Sequence, residues 1–383
     1  MEFGFDAEDE AFRRTARDWL AAHHPGDPGR REWERELGRD GWIGLGWPED
    51  GYGNRRATLT QQVVWAEEYA RAKAPARSGH IGEKLLAPTL IGHGTAEQKA
   101  RFLPPIARGE ELWCQGYSEP GAGSDLAGVR TTAVREEGAA PVRTYRVSGR
   151  KIWTSLAHEA DWCFVLARTR PDAPRHHGLS LLLLPMDQPG RVEVRPIRQL
   201  TGTSDFNEVL FDGARAEHVL GGEGNGWRVA MSLLGHERGV STLAQQVGFA
   251  AELRRVIETA VATGAAGDPV LRDRLVRLWA ELRTMRWNAL RTLGGLGDAG
   301  APSVAKLLWG GWHQRLGELA VQTRGAEAAT GPADWSAAAP YELDPLQHLF
   351  LFSRADTIYG GSDEIQRTII AERVLGLPKE PRG

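Results

Sequence analysis

Chemistry concentrates in two short segments. Gln115-Gly-Tyr-Ser-Glu-Pro-Gly-Ala-Gly-Ser-Asp125 packs three glycines, a proline and several hydroxyls together. Small residues let backbone N–H groups approach a planar or anionic ligand closely. Downstream, Lys151-Ile-Trp-Thr-Ser155 sets an aromatic surface two residues before a hydroxyl. Taken singly, these are a loop between strands and a core tryptophan. Together they point to a flat cofactor, stacked on Trp153 and hydrogen-bonded by Ser155.

Other spellings carry less. Gly295-Leu-Gly297-Asp-Ala-Gly300 matches a dinucleotide fingerprint, but that fingerprint needs a preceding strand. Here a long helical stripe precedes it, so a helix–helix loop is expected. Gly221-Gly222-Glu-Gly224-Asn-Gly226 has no Gly-Lys-Ser/Thr to hold phosphate and reads as a strand-to-helix hinge. The pairs His23-His24 and His176-His177 sit in Pro-rich loop contexts without further ligands, and no metal site is expected. Cys114 and Cys163 lie far apart and form neither a disulfide framework nor a Cys-x-x-Cys knuckle.

The elements around these segments change texture twice. From Ala7 to about Arg108 the chain reads helical. Phe12, Ala16, Trp19 and Leu20 share one face of a stretch ending at Pro25. Leu59–Ala72 makes a second helix, and Leu85, Leu86, Leu90 and Ile91 a third, interrupted by Pro88. Thr95-Ala-Glu-Gln98 spells a capping box opening a fourth. From Trp113 to Leu220 the texture is strand-like, with Tyr145 and Val147 alternating, apolar runs at Trp162–Ala167 and Leu179–Leu184, and candidates at 192–194 and 208–211. This predicts an all-β unit of sandwich or barrel type. After Gly226 long helices return: Leu271, Leu275, Leu278, Leu282 and Met285 step by three and four, as do Val304, Leu307, Leu308, Leu316 and Leu319.

Composition bounds the rest. The chain has 383 residues, 47 basic and 50 acidic side chains and a net charge of -3, so nucleic acid is not expected as a partner. No apolar run approaches the ~20 residues needed to span a bilayer, and the N-terminus has no signal pattern. These features predict a soluble, cytoplasmic protein. Of its 14 Trp, only Trp153 carries an argued role, and the others are assigned to packing.

Four ordered motifs carry a resemblance. Ser118-Glu-Pro-Gly-Ala-Gly-Ser-Asp125, Gly149-Arg-Lys-Ile-Trp-Thr-Ser155, Phe206-Asn-Glu-Val-Leu-Phe-Asp212 and Ile358-Tyr-Gly-Gly-Ser-Asp-Glu-Ile-Gln366 are similar to segments of the acyl-CoA dehydrogenases, over essentially the whole chain. The resemblance implies an α+β multidomain fold: an N-terminal α-helical domain (1–112), a middle β-barrel domain (113–222) and a C-terminal four-helix bundle (223–383). It implies FAD between barrel and bundle, and α,β-dehydrogenation of an acyl thioester, with a carboxylate taking the α-proton and hydride passing to flavin N5. Tyr117, Ser118 and Gly123 would contact the cofactor, Trp153 would pack on it, and Ser155 would bond near N5. Gln322, Gly325 and Ser362 would complete the cofactor site, and Ser124 and Arg238 would meet the CoA portion.

Two departures from the family pattern follow. Many members carry the base in Tyr-Glu-Gly, where this chain has Tyr359-Gly360-Gly361. A second group places it on the first long helix of the bundle, and there Glu237 stands at the matching position. Four residues after Leu233, it borders an apolar face, which suits a base of raised pKa. The backbone N–H of Gly360 would still polarise the thioester carbonyl. The family's Arg-x-x-Phe-Gly pyrophosphate element is missing near Gly264–Leu271, and its Gln-x-x-Gly-Gly element survives only as Gln322-Thr-Arg-Gly325-Ala326. Some bacterial relatives with these traits are heterotetramers of two unequal chains, typically acting on steroid side chains or other bulky acyl-CoA. The expected partners are therefore an acyl-CoA or acyl-carrier thioester, an electron-transfer flavoprotein as acceptor, and further subunits in a homo- or hetero-oligomer, dimer or tetramer. A flavin monooxygenase or nitroalkane-oxidising relative, and a non-catalytic subunit of a heteromeric dehydrogenase, remain the alternative readings.

Overall fold

The computed structural model describes residues 5–23, 29–136, 144–236, 241–292, 300–331 and 343–379. By contacts the chain divides into two compact units, one formed by Asp6–Arg198 with Ser204–Arg238, the other mainly by Gly239–Gly383.

The first unit opens with α1 (Ala7–His23), α2 (Arg30–Arg39) and α3 (Leu59–Arg71). As expected, Ala16, Trp19 and Leu20 of α1 face inward, stacked among Trp33, Trp42 and Trp65. Arg13 fastens α1 to α3 through Glu67 and Glu68, each at 3.0 Å. The short helix α2 was not foreseen from the sequence. Pro88 does not interrupt its helix. A π turn over Gly82–Leu86 runs into α4 (Ala87–His93) and places the donorless residue in that helix's first turn. Helix α5 (Ala96–Ala107) begins at the anticipated capping box, with Thr95 and Gln98 bonded reciprocally.

A mixed sheet follows: β1 (Trp113–Gly116), β2 (Thr132–Arg135), β3 (Tyr145–Ser155), β4 (Trp162–Arg168), β5 (Leu179–Pro185), β6 (Val192–Ile197), β7 (Phe206–Ala216) and β8 (His218–Leu220). Its order is β6-β7-β3-β2-β4-β5-β8, with β1 parallel to β4. Only Thr132 and Arg168 pair between β2 and β4, so the sheet folds over at that point. Its two halves enclose a core of Tyr145, Val147, Val165, Leu182, Leu184, Val209 and Phe211. The outer face of β4 and β5 (Phe164, Leu166, Leu181, Leu183) packs on the helices and on α6 (Gly226–His236). Burial on both faces explains why these strands read as unbroken apolar runs rather than alternating ones. The glycine-rich turn 221–226 does lead from β8 into α6.

The second unit is a helical bundle of α7 (Ser241–Ala262), α8 (Pro269–Arg291), α9 (Ala301–Arg324) and α10 (Pro345–Ser353), followed by α11 (Asp363–Ile369). Leu275, Leu278, Leu282 and Met285 of α8 are buried as anticipated. Helix α9 differs: Val304 and Leu308 are exposed, while Lys306, Gly310, His313, Leu316, Gly317 and Ala320 form its buried face. Hydropathy could not rank a lysine and a histidine as interior. Glycines at 310 and 317 mark the true face, because an added Cβ would lie 3.1 Å from the Asp356 carbonyl oxygen and 2.6 Å from Ser353 Oγ. The assignment of the remaining tryptophans to packing also fails on α8, where Trp279 and Trp287 are exposed.

Candidate functional site

Strand β3 carries Lys151, whose side chain is fully buried. Its Nζ donates to Glu119 Oε1 at 2.9 Å, to the Tyr117 carbonyl at 3.0 Å and to the Leu166 carbonyl at 2.8 Å. Three acceptors satisfy all three ammonium protons. Burial is the largest influence on Lys151 and pulls its pKa down to about 8, against the attraction of Glu119. Glu119 also accepts from the N–H groups of Arg130 and Thr131, at 2.7 and 2.8 Å. Burial opposes its ionisation, but the Lys151 charge and these donors hold it below the usual carboxylate range. The Ile152 N–H donates to the Ser118 carbonyl at 3.0 Å. The two chemistry-bearing segments are thereby one assembly.

Beside this clamp the β3–β7 ladder slips between Lys151 and Thr154. The slip turns Trp153 into the left-handed region, φ 61°, with the residue 57% exposed. A bulky residue held there marks a site where the surroundings impose conformation. Ser155 is half-buried at the end of β3, paired with Phe206. Tyr117 is buried against Phe164, and Ser118 is half-buried. Gly123 and Ser124 are exposed, with nothing within 4 Å of a Cβ built on Gly123. The adjoining Asp125 pairs with Arg175, a residue that motif reading did not single out.

In the second unit, Gly360 (φ 65°, exposed) and Gly361 (φ 83°, half-buried) form a left-handed turn. Ser362 caps α11 by accepting from the Ile365 N–H. Gln322 is exposed and accepts from Arg274 at 2.6 Å, and Gly325 ends α9 at φ 59°. Glu237 and Arg238 lie outside the described residues, as do residues 295–299 of the fingerprint-like glycine run.

The chain's domains match three family models: acyl-CoA dehydrogenase N-terminal domain at 6–110, middle domain at 114–214 and C-terminal domain at 224–375. It is 51% identical to acyl-CoA dehydrogenase IpdE1 of Mycobacterium tuberculosis, across 98% of this chain and 99% of that one. The chain belongs to the acyl-CoA dehydrogenase family. Solved acyl-CoA dehydrogenases agree with it in fold. The Tcur3481-Tcur3483 steroid ACAD superposes with a TM-score of 0.84 at 28% identity, over 99% of this chain and 100% of that one. The ChsE4-ChsE5 complex from Mycobacterium tuberculosis gives 0.81 at 31%, with the same coverage.

An acyl-CoA dehydrogenase of this fold has a helical N-terminal domain, a middle β domain and a C-terminal bundle, as expected from the sequence. The residues present fit a flavin: Trp153 offers an exposed aromatic face, and open space surrounds Gly121 and Gly123. Cys114 and Cys163, remote in sequence, are register partners on β1 and β4, both buried and free. Sequence separation does not report neighbours on parallel strands. Among the described residues no cluster of His, Cys, Asp and Glu could hold a metal, and no helix is long and apolar enough to cross a membrane.

Proposed function

We propose that this acyl-CoA dehydrogenase is FAD-dependent and acts on a bulky acyl-CoA, such as one bearing a steroid-derived acyl group, as one chain of a hetero-oligomer. The observation that carries the cofactor reading is the Lys151–Glu119 clamp, which rigidly joins Tyr117 and Ser118 to the exposed, left-handed Trp153. Support for the substrate class comes from the neighbours named above, one a steroid ACAD and another a complex of two unequal chains. At Gly360 only the Lys306 side chain comes within 4 Å of an added Cβ, and this room agrees with a large acyl group. A three-domain division at 1–112, 113–222 and 223–383 belongs to the same reading.

In this scheme FAD supplies a hydride acceptor at flavin N5. Trp153 would pack on the ring system, Ser155 would donate a hydrogen bond near N5, and Tyr117, Ser118 and Gly123 would contact the cofactor. Glu237 removes the α-proton of the acyl group. The Gly360 N–H donates to the thioester oxygen, where negative charge develops as that proton leaves. Ser124 and Arg238 hold the CoA portion. Gln322, Gly325 and Ser362 take part of the cofactor's dinucleotide half. A partner chain would supply the missing Arg-x-x-Phe-Gly element, and an electron-transfer flavoprotein would be the electron acceptor.

The test is the visible spectrum of the purified protein, alone and with its partner chain, titrated anaerobically with short, branched and steroid-derived acyl-CoA. Bleaching of a bound flavin by the bulky thioesters supports the reading. A flavin that stays oxidised with every thioester and turns over only once reduced, with oxygen, would instead indicate a monooxygenase.

A further inference from the structure

The bundle contains a buried polar chain that the proposed chemistry leaves unused. His313, 5% exposed on α9, lies between two carboxylates: Nε2 is 2.9 Å from Glu252 Oε2 on α7, and Nδ1 is 2.5 Å from Asp356 Oδ2 in the turn after α10. Asp356 is 1% exposed, and its other oxygen accepts from the Tyr359 hydroxyl at 2.6 Å. We propose that the Glu252–His313–Asp356 chain is a positioning device that fixes the Tyr359-Gly360-Gly361 turn for thioester recognition, His313 acting through Asp356. This inference rests on the reading that the Gly360 N–H polarises the thioester carbonyl.

Two consecutive glycines leave a turn many conformations of similar energy, so its shape must be imposed from outside. Helix α9 imposes it. Lys306 Nζ donates to the Asp356 carbonyl and lies over the rings of Trp309 and Tyr359, at 3.9 and 4.7 Å. Gln314 donates to Thr357 Oγ1 at 3.0 Å. From α11, Gln366 donates to the carbonyls of Gly360 and Gly361, each at 3.1 Å. Asp356 is gripped at both its backbone carbonyl and its side chain. Its carboxylate connects the turn's Tyr359 to the helix's His313.

A neutral imidazole can donate from only one ring nitrogen, so it could satisfy only one of the two carboxylates. The geometry therefore calls for the imidazolium. Burial works against that charge, but the hydrogen bonds to Asp356 and Glu252 outweigh it and push the His313 pKa up to about 9. The groups facing the ring are Glu252 from α7, Asp356 from the turn and the Phe249 ring at 4.5 Å. Glu281 of α8 is taken by Arg315, and Arg354 after α10 by Glu318. Glu252 is 40% exposed at its side chain, so the chain reaches solvent at that end.

The test reads carbonyl polarisation in the holoenzyme. A non-oxidisable 3-thia analogue of a steroid-side-chain acyl-CoA, labelled with carbon-13 at the carbonyl, is bound to the wild type at pH 7 and pH 10, and to His313→Gln at pH 7, and its carbonyl stretch is recorded. The expected result is a shift to lower frequency in the wild type at pH 7, reduced at pH 10 and in the variant. In turnover, the variant should show kcat lowered about tenfold with KM within about twofold, and no alkaline limb in its kcat–pH profile. An equal shift in the wild type at pH 7 and pH 10 overturns the device, even if the variant does not fold. Absence of any shift in the wild type at pH 7 overturns instead the reading of Gly360 on which the device rests.

Discussion

The ammonium of Lys151 lies 2.9 Å from the carboxylate of Glu119, thirty-two positions earlier in the chain, and this pair joins a glycine-rich loop to the strand that ends in Trp153 and Ser155. A buried pair of this kind contributes little net stability against an apolar substitute, yet removing one partner strands the other charge. Its value here is geometric, since the same ammonium also holds the Tyr117 carbonyl.

Lys151→Met should therefore destabilise the protein by roughly 3–5 kcal/mol, read from urea unfolding, and lower its FAD content. Lys151→Met combined with Glu119→Gln should recover part of the stability but not the cofactor. A variant as stable and as yellow as the wild type would refute the clamp's role.

Trp153 should separate stability from binding. The residue is mostly exposed and its backbone strained, so Trp153→Gly loses little packing and relieves the left-handed conformation. Stability should stay within about 1 kcal/mol while FAD affinity falls. By contrast, Trp33, fully buried among aromatic rings, should cost about 3–5 kcal/mol on truncation to alanine. Calorimetry with flavin titration on both variants checks the contrast.

Glu237→Gln should retain bound FAD and lose thioester-dependent bleaching by about 10²–10⁴-fold, the range for a missing general base. Stopped-flow absorbance would measure it. Full activity would rule Glu237 out.

His313 gives stability a pH signature. Its pKa of about 9 in the folded protein exceeds the ordinary value of 6.5 expected in the unfolded chain. The folded state thus binds the extra proton between those values. The stabilisation is complete below about pH 6.5 and disappears as pH rises through about 9. Lys151, held at about 8 by burial, acts in the opposite sense above that pH, so the His313 contribution is read as a difference: the gap in urea midpoint between the wild type and His313→Gln should be widest at pH 6, smaller at pH 7.5 and closed by pH 9.5.

The Thr95–Gln98 capping box has unequal halves. Thr95→Ala removes one cap and should cost about 1 kcal/mol. Gln98→Ala should cost more, because Gln98 Nε2 also donates to the Val219 carbonyl at 3.1 Å, which would lose that partner. Thermal unfolding of the two variants would rank them.

Much of the molecule was legible in the chain itself. Helix faces such as Ala16–Trp19–Leu20, the capping box at Thr95 and the fully buried strands β4 and β5 follow from local periodicity and hydropathy, which act over a few residues. The loop 115–125 and the segment 151–155 stood out because glycine, hydroxyl and aromatic residues in that spacing suit few other purposes. What tertiary structure alone decided involves partners far apart in sequence. Lys151 reads as a surface lysine until Glu119 and two carbonyls surround it. Cys114 and Cys163 become neighbours only through a parallel pairing. His313 and Lys306 look misplaced on a buried helix face until Glu252 and Asp356 meet them. Polar residues are interior only where their hydrogen bonds are met, and those partners are supplied by the fold.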